Sequence, residues 1–119
     1  MICNPGDVAV VPFPFSERPG TKRRPALALS HREFNESGHT VLSMITTRKH
    51  SSWPGDVVIE QLKAAGLHHP CIVRFKLFTL DNRLILRRAG RLSESDHEAV
   101  RRSLRECLGT NSPGQTTRG

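Results

Sequence analysis

The segments GDVAVVPFPF, residues 6–15, and PALALS, residues 25–30, decide the fold of this chain of 119 residues. Valine dominates Asp7–Phe13 and both faces of the segment are apolar, which predicts a strand. Pro12 and Pro14 then end the ladder, because proline has no backbone N–H to donate. Residues 25–30 predict a second strand, with leucines on one face and alanines on the other.

Downstream, alternation of side chains predicts further short strands. TVLSMITT, residues 40–47, alternates clearly, and the polar residues 35–39 before it predict a hairpin turn. The remaining local signals predict strands at residues 56–59, 71–78 and 84–86, and one or two helical turns at residues 60–65 that Gly66 ends.

The last part of the chain carries the signals of a longer helix. Ser93 and Asp96 form an N-terminal capping pattern, and Gly109 is a natural stop. An apolar stripe recurs at helical spacing through His97, Val100, Leu104 and Leu108. Residues 110–119, rich in small and polar residues, are expected to form a disordered tail. The chain is therefore read as one domain, residues 1–109, mainly β, with a strongly bent sheet or barrel and a C-terminal α-helix.

Charge indicates the class of partner. Lysine and arginine number 18 and aspartate and glutamate 11, so the formal net charge is +7. Arginine accounts for 14 of the cations and lysine for 4. Because the planar guanidinium matches the geometry of phosphate, this excess indicates an anionic polymer, most simply nucleic acid.

Several classes of protein are excluded by simple patterns. The longest nearly apolar stretch, residues 8–15, is too short to cross a bilayer, so no membrane association is expected. Residues 1–7 lack the basic and apolar regions of a secretory signal. The three cysteines, Cys3, Cys71 and Cys107, are odd in number and far apart, which favours a reducing, cytoplasmic location over a disulfide scaffold.

Basic residues cluster where a loop enters the second strand. Residues 16–24 are expected to form an exposed cationic loop. Pro25 favours an extended conformation at Arg24, so the Arg24 side chain is expected to project from the sheet edge. This cluster either contacts phosphate or is simply a solvated basic loop.

Two further sites carry similar alternatives. Thr46 and Thr47 end the third strand; their hydroxyls either bond a phosphate oxygen or reflect the preference of threonine for strands. Arg74 and Lys76 share one face of the strand at residues 71–78. They repel each other unless an anion lies over them, or both side chains extend into solvent.

Metal and thiol chemistry are not expected. His68, His69 and Cys71 lie close together but lack a fourth ligand, so neither a metal nor another cofactor is expected. Cys107 falls on the helical stripe and Cys3 precedes the first strand, which leaves no plausible cysteine–histidine pair.

Five segments, in the same order along the chain, resemble the MazF/PemK family of toxin endoribonucleases. They are GDVAVVPFPF (6–15), GTKRRPALALS (20–30), TVLSMITT (40–47), HPCIVRFKLFTLDNRLI (69–85) and GRLS (90–93). The resemblance covers roughly residues 4–108, and the order of the segments is more specific than any single short motif.

The resemblance implies an SH3-like β-barrel with a C-terminal helix, usually in a homodimer. It implies the toxin component of a type II toxin–antitoxin system: a metal-independent, sequence-specific endoribonuclease that cleaves single-stranded mRNA. Attack by the 2′-OH would yield a 2′,3′-cyclic phosphate and a 5′-OH. It also implies an acidic antitoxin protein that binds the toxin and blocks the RNA site.

The resemblance also suggests site residues. Arg24 matches the arginine of the family's Arg-Pro motif, Thr46 matches the threonine that ends the third strand, and Arg74 lies near a catalytic basic position. These are the expected catalytic residues. RNA-binding roles are expected for neighbouring residues: Lys22, Arg23, Thr47, Arg48 and Lys76.

One departure concerns the general base. Relatives often carry an acidic residue where this chain has Phe75, so the base is not identified. His31 and Asp81 are weak candidates. Trp53, the single tryptophan, either stacks on an RNA base or packs in the core beside Pro54.

Other functions remain open. CcdB toxins share the expected fold but inhibit DNA gyrase through their terminal helix, and the arginine-rich helix here does not decide the point. The Arg-Arg-Pro sequence favours the ribonuclease. The missing acidic residue leaves a non-cleaving RNA-binding module possible, and a basic barrel of ribosomal type would bind structured RNA only.

Overall fold

The computed structural model describes residues 1–13, 22–48 and 52–109. Its strands are β1 (Asp7–Phe13), β2 (Lys22–Ala28), β3 (His39–Thr47), β4 (Val57–Val58), β5 (Cys71–Asp81) and β6 (Arg87–Arg91). Its helices are α1 (Arg32–Asn35), α2 (Leu62–Ala65) and α3 (Glu94–Cys107), with a 3₁₀ turn at Asn82–Leu84. The expected tail, residues 110–119, and residues 16–21 of the expected loop lie outside the described residues.

The strands form one antiparallel sheet in the order β4-β5-β3-β2-β1-β6. The sheet with its C-terminal helix confirms the expected fold class, a mainly β, SH3-like barrel with one terminal helix. None of the helices in the described ranges is long and apolar enough to cross a membrane.

Apolar side chains on the two faces of the sheet form two cores. Under α3 lie Val8, Leu27, Ile45 and Val73 together with Val100 of the helix. The opposite face buries Ala9, Val11, Ala26, Leu42 and Leu80. Successive residues of a strand point to opposite faces, so β1 contributes to both cores, which explains why both of its faces are apolar.

The capping signal at α3 is confirmed. The Ser93 hydroxyl accepts a hydrogen bond from the Asp96 backbone N–H at 3.2 Å. The buried Asp96 carboxylate in turn accepts from the backbone N–H groups of Glu60 at 3.1 Å and Gln61 at 2.9 Å. This carboxylate therefore fixes the start of α3 to the segment that precedes α2.

Two connections between strands differ from what the local sequence predicts: the one between β2 and β3, and the one between β5 and β6. The expected hairpin turn is preceded by the helical turn α1, because the buried Asn35 amide donates to the carbonyl oxygens of Cys3 at 2.8 Å and Ser30 at 3.1 Å. The strand expected at residues 84–86 lies instead at β6. The Asp81 carboxylate accepts from the Arg83 N–H at 2.8 Å and caps the 3₁₀ turn, which delays the strand.

A bulge interrupts the pairing of β3 with β5. Ser43 lies opposite Leu77 and Met44 lies opposite Arg74, so β5 has two residues more than β3 between these pairs. The Ser43 hydroxyl donates to the Arg74 carbonyl oxygen at 2.8 Å and stabilises the bulge. Bulges redirect side chains, and this one lies within the segment that contains Arg74 and Lys76.

Candidate functional site

The strands β2 and β3 separate at one end of the sheet. Their pairing covers residues 26–28 of β2, although β2 begins at Lys22 and β3 continues to Thr47. Pro25, just before the paired residues, has no N–H with which to extend the ladder. The divergence opens a cavity of about 270 Å³, here called the first groove, whose lining includes Arg24, Thr46 and Thr47.

A second groove, of about 310 Å³, adjoins the first. Its lining includes Arg23, His68, His69 and Arg87. Arg24, Pro25, Thr47 and Cys71 line both grooves, so the two form one continuous depression around the end of β2. Arg23 and Arg24 are consecutive in β2, and both line the second groove, whereas Arg24 also lines the first.

Residues 22–24 of the expected cationic loop lie on a strand instead. Lys22, Arg23 and Arg24 belong to β2, where they lie opposite Phe13, Pro12 and Val11 of β1. Pairing with β1 therefore holds these three basic residues on a regular strand, and the expectation that they lie in a loop is wrong. All three side chains are exposed at the end of the sheet.

Arg48 follows β3 directly. Its backbone N–H donates to the Pro70 carbonyl oxygen at 2.9 Å and its side chain is exposed. Thus the structure brings Arg24, Thr46 and Thr47 to one groove, with Arg48 next to Thr47 along the chain.

Arg74 has an anionic partner within the chain. Its guanidinium binds the Asp56 carboxylate through Nη2–Oδ2 at 2.8 Å and Nε–Oδ1 at 3.2 Å. The hydrogen bonds from Arg74 lower the pKa of Asp56. Met44, opposite Arg74 on β3, lines the first groove, so Arg74 lies one strand away from it. No sequence signal pointed to Asp56, which lies 18 residues away.

Lys76 lies over the ring of Trp53. Its ammonium is 4.6 Å from the ring centroid, which is the geometry of a cation–π contact. The Trp53 backbone N–H donates to Asp56 Oδ2 at 3.0 Å. Trp53 is 41% exposed and belongs to neither core, so the alternative that it packs into the core is wrong.

The two weak candidates for a general base lie elsewhere. Asp81 is opposite His39, and Thr46 is seven residues further along β3, roughly 23 Å away at the rise of a strand. Hydrogen bonds from Arg83 lower the pKa of Asp81 to about 2, which makes it a weak base. His31 lines a different cavity, with Arg91 and His97.

The histidines and cysteine considered as metal ligands, His68, His69 and Cys71, line the second groove. No group of three or more His, Cys, Asp or Glu side chains in the described part of the chain is placed to hold a metal ion. His68 and His69 instead share that groove with the guanidinium groups.

Comparison with known proteins is informative at the level of family and fold. The family described as "PemK-like, MazF-like toxin of type II toxin-antitoxin system" matches residues 4–108. Comparison with curated proteins gave no match.

Several solved structures share the fold. A MazE–MazF crystal structure from Deinococcus radiodurans is 22% identical, with a TM-score of 0.73 and coverage of 93% of this chain and 100% of that chain. An endoribonuclease in complex with its cognate antitoxin from a mycobacterial species is 18% identical, with a TM-score of 0.71 and coverage of 93% and 99%. The Mycobacterium tuberculosis toxin MazF-mt6 is 19% identical, with a TM-score of 0.66 and coverage of 82% and 91%.

Proposed function

Since this chain belongs to the PemK-like, MazF-like toxin family of type II toxin–antitoxin systems, we propose that it is an endoribonuclease that cleaves single-stranded mRNA. The observation that carries this proposal is the meeting of Arg24 and Thr46 in the first groove. The groove is open, lies at the end of a sheet and is bordered by exposed cations, as a site for a phosphodiester requires.

The proposed reaction uses the nucleophile that RNA itself carries. The 2′-oxygen attacks the adjacent phosphorus, the bond to the 5′-oxygen breaks, and the products are a 2′,3′-cyclic phosphate and a 5′-OH. Arg24 stabilises the charge that develops on the phosphoryl oxygens, and Thr46 positions the phosphate by hydrogen bonding. In this scheme the protein's own residues supply the charge stabilisation, and no metal ion is required.

The other basic residues bind the RNA backbone. Lys22, Arg23 and Arg48 surround the end of β2 and contact flanking phosphates, while the Thr47 hydroxyl assists beside Thr46. Arg74 contributes to phosphate binding from its place beside Met44, with its guanidinium held in position by Asp56. Lys76 and Trp53 together offer a surface on which a base can stack.

Two protein partners complete the proposal. The net charge of +7 and the guanidinium groups lining both grooves favour an acidic antitoxin that covers the RNA site. The mycobacterial endoribonuclease solved with its cognate antitoxin and the MazE–MazF structure are consistent with such a complex. The family resemblance further supports a homodimer, which light scattering of the purified protein would measure.

The proposal is tested by incubating the protein with a long single-stranded RNA in excess EDTA. We expect the wild-type protein to cleave the RNA. The cleavage rate of Arg24→Ala should be lower by about 100-fold or more, as when one charge-stabilising donor is removed. Arg102→Ala is the matched control, because Arg102 is an exposed arginine on α3 that lines neither groove.

Each other outcome has a distinct meaning. Equal cleavage by the wild-type protein and Arg24→Ala would indicate a contaminating nuclease. RNA retention without cleavage would indicate a binding module. Inhibition of gyrase supercoiling without RNA cleavage would indicate a CcdB-like toxin. The last two results contradict the proposed nuclease.

A further inference from the structure

Among the described residues, histidines line the second groove and not the first. We propose that His68 and His69 are catalytic residues: one imidazole removes the proton of the 2′-OH and the other protonates the departing 5′-oxygen. This inference rests on the proposed function, since it assigns the general base and general acid of the same RNA cleavage.

The residues lining the two grooves leave few alternatives. Arginine stays protonated and cannot act as a base, and threonine does not titrate in the relevant range. Burial raises the pKa of the Cys71 thiol, which disfavours its ionised form. No carboxylate is among the described residues that line either groove. Histidine is the side chain that exchanges a proton near neutral pH, so His68 and His69 remain.

The fold holds the two histidines beside the end of β3. Thr47 pairs with Cys71 at the start of β5, and the Arg48 N–H donates to the Pro70 carbonyl oxygen at 2.9 Å. The residues that directly precede Pro70 therefore lie next to Thr47, a residue of both grooves.

The histidines lie in the connection between α2 and β5, and the start of this connection is fixed against β6. Gly66 ends α2 with φ +74°, and a Cβ built on it would lie 2.1 Å from the Ala89 carbonyl oxygen. Only glycine allows so close an approach of the two backbones. This contact holds the segment after α2 close to β6 and brings His68 and His69 into one groove with Arg87.

The charges in the second groove suit a bound phosphodiester. The other charged or titratable residues that line this groove are Arg23 and Arg24 from β2, Arg87 from β6 and Cys71 from β5. In this arrangement Arg24, which lines both grooves, binds the scissile phosphate, and Arg23 and Arg87 bind flanking phosphate oxygens. Both imidazoles are exposed, so RNA can reach them.

The proposed step takes one proton from the 2′-oxygen and delivers one to the 5′-oxygen. The 2′-oxygen loses its proton to a neutral imidazole and forms a bond to phosphorus. The bond between phosphorus and the 5′-oxygen breaks, and that oxygen takes a proton from the other, protonated imidazole. The products are the 2′,3′-cyclic phosphate and the 5′-OH, and the two imidazoles have exchanged protonation states.

The test compares wild-type protein with His68→Gln, His69→Gln and the double variant, on an RNA with a single cleavage site and in excess EDTA. His39→Gln is the matched control, an exposed histidine at the other end of β3. For each protein kcat and KM are measured from about pH 5 to about pH 9, the range in which histidine titrates.

We expect the double variant to lose about 100-fold or more in kcat with KM changed less than about twofold, as for removal of general acid–base catalysis. The pH profile of the double variant should lose the bell shape of the wild type. The control His39→Gln should keep the wild-type kcat and the bell-shaped profile. In a second measurement, free imidazole should restore part of the cleavage by the variant H68A/H69A, provided that circular dichroism shows a folded protein.

Three results would overturn the inference. A double variant with wild-type kcat and pH profile would exclude proton transfer by these residues. A raised KM at unchanged kcat would reduce them to phosphate binding. A folded wild-type protein that cleaves no RNA would overturn the proposed function and this inference with it, whereas undiminished cleavage by the double variant overturns this inference alone.

Discussion

Replacement of Asp96 by alanine should destabilise the fold far more than other changes at the start of α3. Asp96 is 3% exposed, and its carboxylate accepts hydrogen bonds from the backbone N–H groups of Glu60 and Gln61. The alanine variant leaves both donors without this acceptor in a partly buried position. At about 1–3 kcal/mol for each unsatisfied group, the free energy of unfolding should fall by roughly 2–6 kcal/mol.

Two variants separate this effect from the general preference of helix N-termini for negative charge. Glu94→Ala removes an exposed acid from the same first turn and should cost only about 0.3–1 kcal/mol. Asp96→Asn keeps a side-chain oxygen that can accept a hydrogen bond. Its loss in free energy of unfolding should therefore fall between those of Asp96→Ala and Glu94→Ala.

Urea unfolding followed by circular dichroism measures all three variants against the wild type. The dependence of the unfolding free energy on urea should stay constant, so that midpoints report stability directly. If Asp96→Ala and Glu94→Ala differ by less than about 0.5 kcal/mol, a typical surface effect, then the carboxylate does not fix α3 to the segment before α2 and the reasoning is wrong.

Three other predictions follow from named contacts. Gly66→Ala should lower the free energy of unfolding by at least about 1–2 kcal/mol, the cost of a left-handed alanine, to which the clash with Ala89 adds, and its thermal midpoint should fall. Gly109→Ala should leave the thermal midpoint unchanged, because a Cβ added at Gly109 has no atom within 4 Å. Hydrogen bonds from Arg74 lower the pKa of Asp56, so the ionised carboxylate stabilises the fold above its unfolded pKa of 3.8. This stabilisation should be lost as the pH falls through the lower pKa of the folded state. Urea midpoints measured across that pH range should show the loss in the wild type and not in Asp56→Asn. If Arg24 binds phosphate, Arg24→Ala should weaken the salt dependence of binding to single-stranded RNA. In a fluorescence titration, the slope of the logarithm of the binding constant against the logarithm of the salt concentration should fall by about 0.7. An unchanged slope would contradict the contact between Arg24 and phosphate.

Local signals in the sequence account for much of the fold. The valine-rich β1, apolar on both faces, predicted a strand that the structure buries between two cores. Ser93 and Asp96 predicted the start of α3, and Gly66 the end of α2. These features are visible in the sequence because each depends on neighbours only a few residues away.

Local signals in the sequence account for less of the candidate site than of the fold. The resemblance indicated Arg24 and Thr46, and the structure places both in the first groove. The position of Asp56 beside Arg74 was not indicated, nor was the bulge that alters the spacing of Arg74 and Lys76. Both features arise from the pairing of β5 with its neighbouring strands, which periodicity within one strand does not reveal.

The sequence by itself thus determined the class of fold, the basic character of the surface and the residues that resemble a family motif. Only the tertiary structure decided that His68 and His69 line one groove with Arg23, Arg24 and Arg87. Those residues come from β2, the connection after α2, and β6, which lie far apart along the chain. The physical reason is that strand order and register set such contacts, and both depend on the packing of the whole sheet rather than on any local pattern.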